Sequence, residues 1–378
     1  MITTRTWYLK FLVLLLAVFT ILFYFLSDVN DNPTVQILFE NHGEEPPLMN
    51  GEERARRVEE RCSQHPEYRT CLYPSRGIVK RLLPVPDKKM AMCVMGKIGS
   101  SNWKTLILRL RGVITEEEAK NMTYPHGKEY WQENGTLYFY KRPERLKMIE
   151  TIERDYYKVT FVRDPLSRML SAYRDKFTGT SEEHMFKVYR SKRAYDMCKS
   201  LEDLILLKPD GDLIPDEIYR YMSTELERHC SNKKEKFVSL GIFFLIFIFM
   251  PQDFNGDLLK DLIVNTHFND MLSLCGHCRI KYDFIGTVET MDRDYEFLRH
   301  RLGIEYNLPK IESTQLGVMS KEGVKTMWDN IPHLMKQYIY LFLSNDANAF
   351  GYNGYNTKLN KSALPNHYER RTNCDTWY

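Results

Sequence analysis

Lys97, four serines, Arg163 and Arg168 cluster at two places where an apolar run gives way to a helical pattern. The first is Met90–Lys104, MAMCVMGKIGSSNWK, and the second is Tyr156–Phe177, YYKVTFVRDPLSRMLSAYRDKF. Backbone N–H groups and the helix dipole favour anions where a strand ends and a helix begins. Two such junctions suit a ligand with two separate phosphate-like groups. In the first, Gly96 and Gly99 permit tight turning around Lys97 and Ile98, and Ser100, Ser101 and Asn102 follow. Backbone donors, hydroxyls and one ammonium charge can then wrap an anion. Lys97 precedes the serine pair, so the loop is not GxxxxGK[ST], and Ile98 stands where a magnesium-binding hydroxyl is needed. That counts against a nucleotide triphosphatase or phosphotransferase. In the second, Arg163 closes the apolar run, Asp164 suits an N-cap and Pro165 the first helical position. Ser167, Arg168 and Ser171 share a face with Asp164. Arg163 and Ser171 are placed to grip one phosphate from two directions. The competing reading pairs Arg163 and Arg168 with Asp164 and Asp175.

The elements that must position these groups follow from periodicity. Met90–Met95 and Lys158–Val162 have the length and composition of buried strands. Trp103, Leu106, Ile107 and Leu110 form one helical stripe, and Leu166, Met169, Leu170, Tyr173 and Phe177 another. A late helix is expected in Thr326–Leu343, starting near Pro332. Leu110–Leu146 reads as loops and a helix over the site. The expected fold is α/β, a P-loop-like core with a central parallel sheet flanked by helices. Val238–Met250, VSLGIFFLIFIFM, is an anomalous apolar insertion, too short to span a membrane comfortably. A buried strand or helix is one reading of it. A translated short intron is the other, because a GTAAGT donor site would encode Val238-Ser239.

Taken together the two junctions resemble the membrane-bound carbohydrate sulfotransferases, closest to the chondroitin and dermatan 4-O-sulfotransferase branch. Gly96–Lys104 is similar to that family's PKxxCTNWK-like loop, and Phe161–Phe177 to its FVRxPxxRxxSAYxxKF element. Cys275–Thr290, CGHCRIKYDFIGTVET, is similar to CxxCxxxYDFIGxxET, and Asp346–Tyr352 to DxxxFGY. The blocks keep their order over Lys88–Asn353. Gly96 replaces the family's Pro, Ser100 its usual Cys or Gly, and His267-Phe268 its HW pair. The resemblance implies a sulfotransferase core and 3′-phosphoadenosine-5′-phosphosulfate as co-substrate. Lys97, Ile98, Gly99, Ser100, Ser101 and Asn102 would hold the 5′-phosphosulfate. Arg163, Asp164, Pro165, Arg168 and Ser171 would hold the 3′-phosphate.

The sulfur would be attacked in line by a sugar hydroxyl while charge builds on the departing phosphate oxygen. Lys97 and the loop donors would stabilise that charge. The general base is open between His126 and His267, with Glu129 and Glu133 also in place. No metal is required by this chemistry, and no metal-ligand cluster is visible in the sequence. The acceptor implied is a glycan or proteoglycan, with chondroitin-like N-acetylgalactosamine as one candidate. An inactive glycan-binding relative is the alternative.

Topology points the same way. Phe11–Leu26 is sixteen residues without a charge, and Trp7–Leu9 extend it to about the twenty that span a bilayer if Lys10 snorkels. Arg5 and Lys10 precede the run and Asp28 and Asp31 follow it, which puts the N-terminus in the cytosol and the rest in a lumen. The expected organisation is a cytoplasmic tail (1–6), one transmembrane signal anchor (7–26), a stem (27–60) and a lumenal catalytic domain (61–378), consistent with a Golgi type II enzyme. A cleaved signal peptide is the alternative, though the run is long for one and no A-x-A-like site follows Leu26. Sequons at Asn121, Asn134 and Asn360 fit a secretory compartment. All eight cysteines follow the anchor. Disulfides are expected among Cys62, Cys71, Cys198, Cys230, Cys275, Cys278 and Cys374, with Cys93 a buried free thiol. Cys275-Gly-His-Cys278 has no second half-site in the sequence to make four zinc ligands. A net charge of +3 gives no general affinity for nucleic acid. Oligomeric state is not legible.

Overall fold

Four short apolar runs pair into one sheet, and each is buried along its length or nearly so. They are β1 (Leu82–Val85), β2 (Met90–Cys93), β3 (Tyr157–Val162) and β4 (Phe284–Thr287), in the order β1-β2-β3-β4. In this computed structural model the described residues are 49–65, 78, 81–123, 125–131, 142–178, 184–207, 214–230, 239–249, 267–310, 321–355 and 357–359. β2, β3 and β4 are parallel, with Met92 opposite Val159 and Thr160 opposite Ile285. β1 runs antiparallel to β2, so the sheet is mixed where a parallel one was expected. The reason is local. Pro86–Lys88 forms a one-turn connection, with Lys89 in the left-handed region, and reverses the chain directly into β2. Pro84 lacks an N–H, as an edge strand tolerates, and its carbonyl accepts from Arg111 Nε at 2.7 Å.

The parallel strands aim their carboxyl ends at one edge, where ligands bind in open α/β sheets. β2 leads through the Gly96–Gly99 turn into α2 (Ser100–Leu110), and β3 leads into α5 (Pro165–Tyr173). β4 leads into α10 (Met291–Arg301). Trp103 is fully buried and seats α2 on the sheet, with ring centroids 4.3 Å from Phe161 and 5.7 Å from Tyr295. Gly286 makes the crossing possible, because a Cβ there would lie 2.3 Å from the Phe161 ring.

Other expectations change. The stretch read as stem to residue 60 contains α1 (Gly51–Gln64), which packs on β4. Polar residues hide that role, because the anchor is a charged one. Fully buried Arg54 donates to Ile285 O at 2.5 Å and Met49 O at 3.0 Å, beside Asp294 at 3.8 Å. α1 therefore belongs with the compact unit Glu45–Tyr378. Cys93 is not a free thiol but bonds Cys275, while Cys278 bonds Cys62 and Cys198 bonds Cys230. Cys275 and Cys278 thus tie one turn to β2 and to α1. Cys71 and Cys374 lie outside the described residues.

The anomalous apolar stretch forms α8 (Leu240–Phe249), every residue of which is buried. It packs among α6 (His184–Leu207), α7 (Asp216–Glu225), α11 (Lys321–Asp329) and α12 (His333–Phe350). A helix apolar on every side needs such an all-round setting. α12 is the late helix expected near Pro332, which is its N-cap. Among the described residues no helix is long and apolar enough to cross a membrane. Residues 7–26 lie outside them.

Candidate active site

The first junction is built by backbone geometry. Lys97 and Gly99 adopt φ of 71° and 76°, and α2 starts at Gly99 without a side-chain cap. The opening N–H groups of a helix have no intrahelical acceptor, so this start is a donor cluster suited to an anion. Gly96 is small for a reason: a Cβ there would lie 2.7 Å from the His267 ring. Lys97 Nζ lies 3.3 Å from Asp175 Oδ2, and Lys176 Nζ is 2.9 Å from the same oxygen. Asp175 reaches them because α5 widens into a π turn, Arg174–Thr178. Such turns often mark functional sites. His126 lies between Ser101 Oγ and Lys104 Nζ, each 3.0 Å away.

The second junction is locked from several sides. Asp164 caps α5, accepting from Ser167 N at 2.8 Å, and also accepts from Tyr355 Oη at 2.7 Å. Tyr355 Oη in turn accepts from Leu166 N at 2.8 Å. Glu289 accepts from Asp164 N and from Tyr352 Oη, each at 2.9 Å. Asp346 accepts from the N–H groups of Met271 and Leu272 at 2.7 and 3.1 Å, at the start of the short helix α9 (Met271–Leu274). Glu289 thus joins the Arg163–Ser171 turn to the third sequence block and, through Tyr352, to the fourth.

The two junctions touch. Arg168 donates to Gly96 O at 3.2 Å and Asn269 O at 2.8 Å, and Arg163 approaches Lys97 O at 3.4 Å. Arg168 is buried and supports the first loop from behind through the Gly96 carbonyl. Asp164 and Pro165 are likewise buried and shape the turn. Arg163 and Ser171 are only half-buried and remain suited to a ligand. Asp175 faces Lys97 and Lys176.

Desolvation dominates the electrostatics. It lowers Lys97 although Asp175 opposes it, and with Arg81 beside it lowers Lys104 to about 8. Burial, helped by Lys104, lowers His126 to about 4, and burial with Lys176 lowers His267 to about 3. Both imidazoles are therefore neutral at neutral pH. The carboxyl end of the sheet is dense in cations, which fits a polyanionic nucleotide. Among the described residues no cluster of His, Cys, Asp or Glu could hold a metal ion. Glu129 is exposed, and Glu133 lies outside the described residues. Asn121 is exposed, whereas Asn134 and Asn360 lie outside them. Sequence reasoning missed Arg81, Lys104, Asp175 and Lys176 as site residues. Lys104 and Lys176 do stand in the matched blocks, and that was the available signal.

The sequence profile described as the Sulfotransferase family matches residues 80–353, so the chain belongs to that family. It is 24% identical over 323 residues to carbohydrate sulfotransferase 10 of Rattus norvegicus, covering 78% of this chain and 76% of that protein. It is 27% identical over 227 residues to carbohydrate sulfotransferase 11 of Rattus norvegicus, covering 60% of this chain and 54% of that protein. With carbohydrate sulfotransferase 9 of Homo sapiens the identity is 24% over 283 residues, or 72% of this chain and 53% of that protein. The chain thus spans about half the length of the latter two relatives. No solved structure matches.

Proposed function

We propose that this enzyme transfers the sulfuryl group of 3′-phosphoadenosine-5′-phosphosulfate to a glycan hydroxyl, in the Golgi lumen and tethered by residues 7–26. The observation that carries the reading is the contact between the two phosphate-binding junctions, where Arg163 and Arg168 reach the carbonyls of Lys97 and Gly96. A nucleotide with phosphates at both ribose ends needs two such sites held in fixed register. The donor brings an activated sulfuryl group. Lys97 and the uncapped start of α2 stabilise the phosphate oxygen on which charge develops. Arg163 and Ser171 hold the 3′-phosphate and so fix the line of attack. The relatives' names support a carbohydrate acceptor, and chondroitin-like N-acetylgalactosamine is our first candidate.

The test uses the full chain in detergent with radiolabelled donor, desulfated chondroitin and a panel of other glycans. Label transferred to a glycan, and lost in Lys97→Ala, is the expected result. Donor binding without transfer to any glycan would point instead to an inactive glycan-binding relative. A folded protein that does not bind the donor overturns the reading.

A further inference from the structure

Lys104, His126 and Ser101 form a chain of contacts whose direction can be derived. An ammonium group donates and cannot accept. The 3.0 Å contact between Lys104 Nζ and His126 Nδ1 therefore makes Nδ1 the acceptor. A neutral imidazole with an accepting Nδ1 carries its proton on Nε2. The 3.0 Å contact from Nε2 then runs as a donation to Ser101 Oγ. With a lone pair of Oγ so engaged, the serine hydroxyl proton points away from the ring. Ser101 lies in the first turn of α2, where the backbone donors gather.

From this we propose that Lys104 and His126 are positioning residues: the ammonium sets the imidazole tautomer, and the imidazole aims the Ser101 hydroxyl proton at the donor's phosphosulfate oxygens. The proposal rests on the sulfotransferase reading above. It also removes His126 from the general-base candidates, because its Nε2 already bears a proton and its Nδ1 is occupied by a cation. Burial supports the neutral ring, and Lys104 keeps its proton below about 8. The groups facing Lys104 are Arg81 and the Trp131 ring, 5.5 Å from Nζ. Those acting on His126 besides Lys104 are Lys176, Asp175 and Lys97. Trp131 donates to Pro125 O at 2.9 Å and so fixes the loop that presents His126.

Substitution separates a positioning ring from a base. His126→Gln offers Lys104 an acceptor and Ser101 an N–H donor, yet takes up no proton. In full-length protein, Ser101→Ala and His126→Ala should each lower kcat/KM roughly 10- to 100-fold, as loss of one oriented donor does. The double variant should be no worse than either alone, and His126→Gln should restore most of the lost rate. Equal inactivity of the Gln and Ala variants, or losses that multiply, would overturn the proposal. Imidazole ¹⁵N shifts of the donor-free protein test it without turnover. Protonated Nε2 with bare Nδ1, altered in Lys104→Met, is expected, and a proton on Nδ1 would overturn it. Wild-type protein that shows this tautomer but neither binds donor nor transfers sulfate would sink the sulfotransferase reading instead.

Discussion

The Gly96–Asn102 loop and the Arg163–Ser171 turn both carry a strand end into a helix, and they spend their polar groups in opposite ways. In the first, backbone conformation makes the cradle, and side chains from elsewhere set its polar groups: Asp175 faces Lys97 and His126 faces Ser101. In the second, Asp164 and Arg168 are consumed inside the protein by Tyr355, Glu289 and the carbonyls of Gly96 and Asn269. One junction is an adjustable chemical site, and the other is a rigid socket that also props up the first. Motif matching treats them alike. Burial tells them apart, since Arg168 is buried and spends two donors on carbonyls while Arg163 and Ser171 are only half-buried.

The comparison breaks most visibly at three basic residues. Lys97→Ala should lower kcat by about 10²- to 10³-fold, the effect of removing one stabilising donor, with an unchanged melting temperature. Arg168→Met should act on folding, destabilising by about 3 kcal/mol because it strips buried carbonyls of charged donors. Arg163→Ala should leave stability intact and weaken binding of 3′-phosphoadenosine-5′-phosphate by about 10- to 100-fold, as a lost charged hydrogen bond does. Urea midpoints beside calorimetric affinities distinguish the three. An Arg168 variant that is stable but cannot bind nucleotide would return that residue to the ligand.

Much of this was legible in the chain. Both strand–turn–helix junctions, Asp164 as a cap and Pro165 at the first helical position all appear as their local chemistry dictates. What was illegible came from distance. Arg54 and Asp294 are 240 positions apart in number, and nothing local marks this mostly polar α1 as core when Arg54 and the Cys62–Cys278 disulfide fix it from a distance. Asp175 turns toward Lys97 only because of a π turn, which no periodicity forecasts. Cys93 has an apolar neighbourhood that hides a partner in a distant turn. The apolar stretch is instructive in another way. As α8 it contributes Phe243, which packs 5.5 Å from Tyr173 and 5.4 Å from Phe177, behind the π turn. An intron reading of Val238–Met250 therefore requires a spliced message whose protein closes that ring cluster differently, and transcript sequencing decides it.

A smaller effect sharpens the contrast at the first loop. Asp175 occupies the Lys97 ammonium that a phosphosulfate oxygen would use, so Asp175→Asn should tighten nucleotide binding by roughly 3- to 10-fold, removing a surplus charge near a partly buried ion pair. If Asp175 also takes the acceptor proton, kcat falls in the same variant. Tighter binding with unchanged kcat leaves His267, Glu129 and Glu133 as the candidates for the base. Weaker binding would mean that Asp175 orients Lys97 for the ligand, and the loop would then be as preset as the socket beside it.

The last expected effect is on stability against pH, and its sign follows from burial. His126, His267 and His277 are held near 4, 3 and 4, well below the 6.5 of a solvated imidazole. Below about pH 6.5 the unfolded chain binds protons that the folded protein refuses, so stability is lost as pH falls from there toward about 4. His277 lies away from both junctions, packed between Tyr282 and Phe350. His126 and His267 lie in the first junction, under Lys97 and Lys176. Bound nucleotide brings negative charge beside those two alone, which eases their protonation. Melting temperatures between pH 7 and 5 should therefore fall less steeply with 3′-phosphoadenosine-5′-phosphate present. In His126→Gln the acid dependence should flatten with or without nucleotide. An identical acid slope in wild type and His126→Gln would mean that His126 takes up its proton as readily folded as unfolded, and the adjustable loop would lose its desolvated ring.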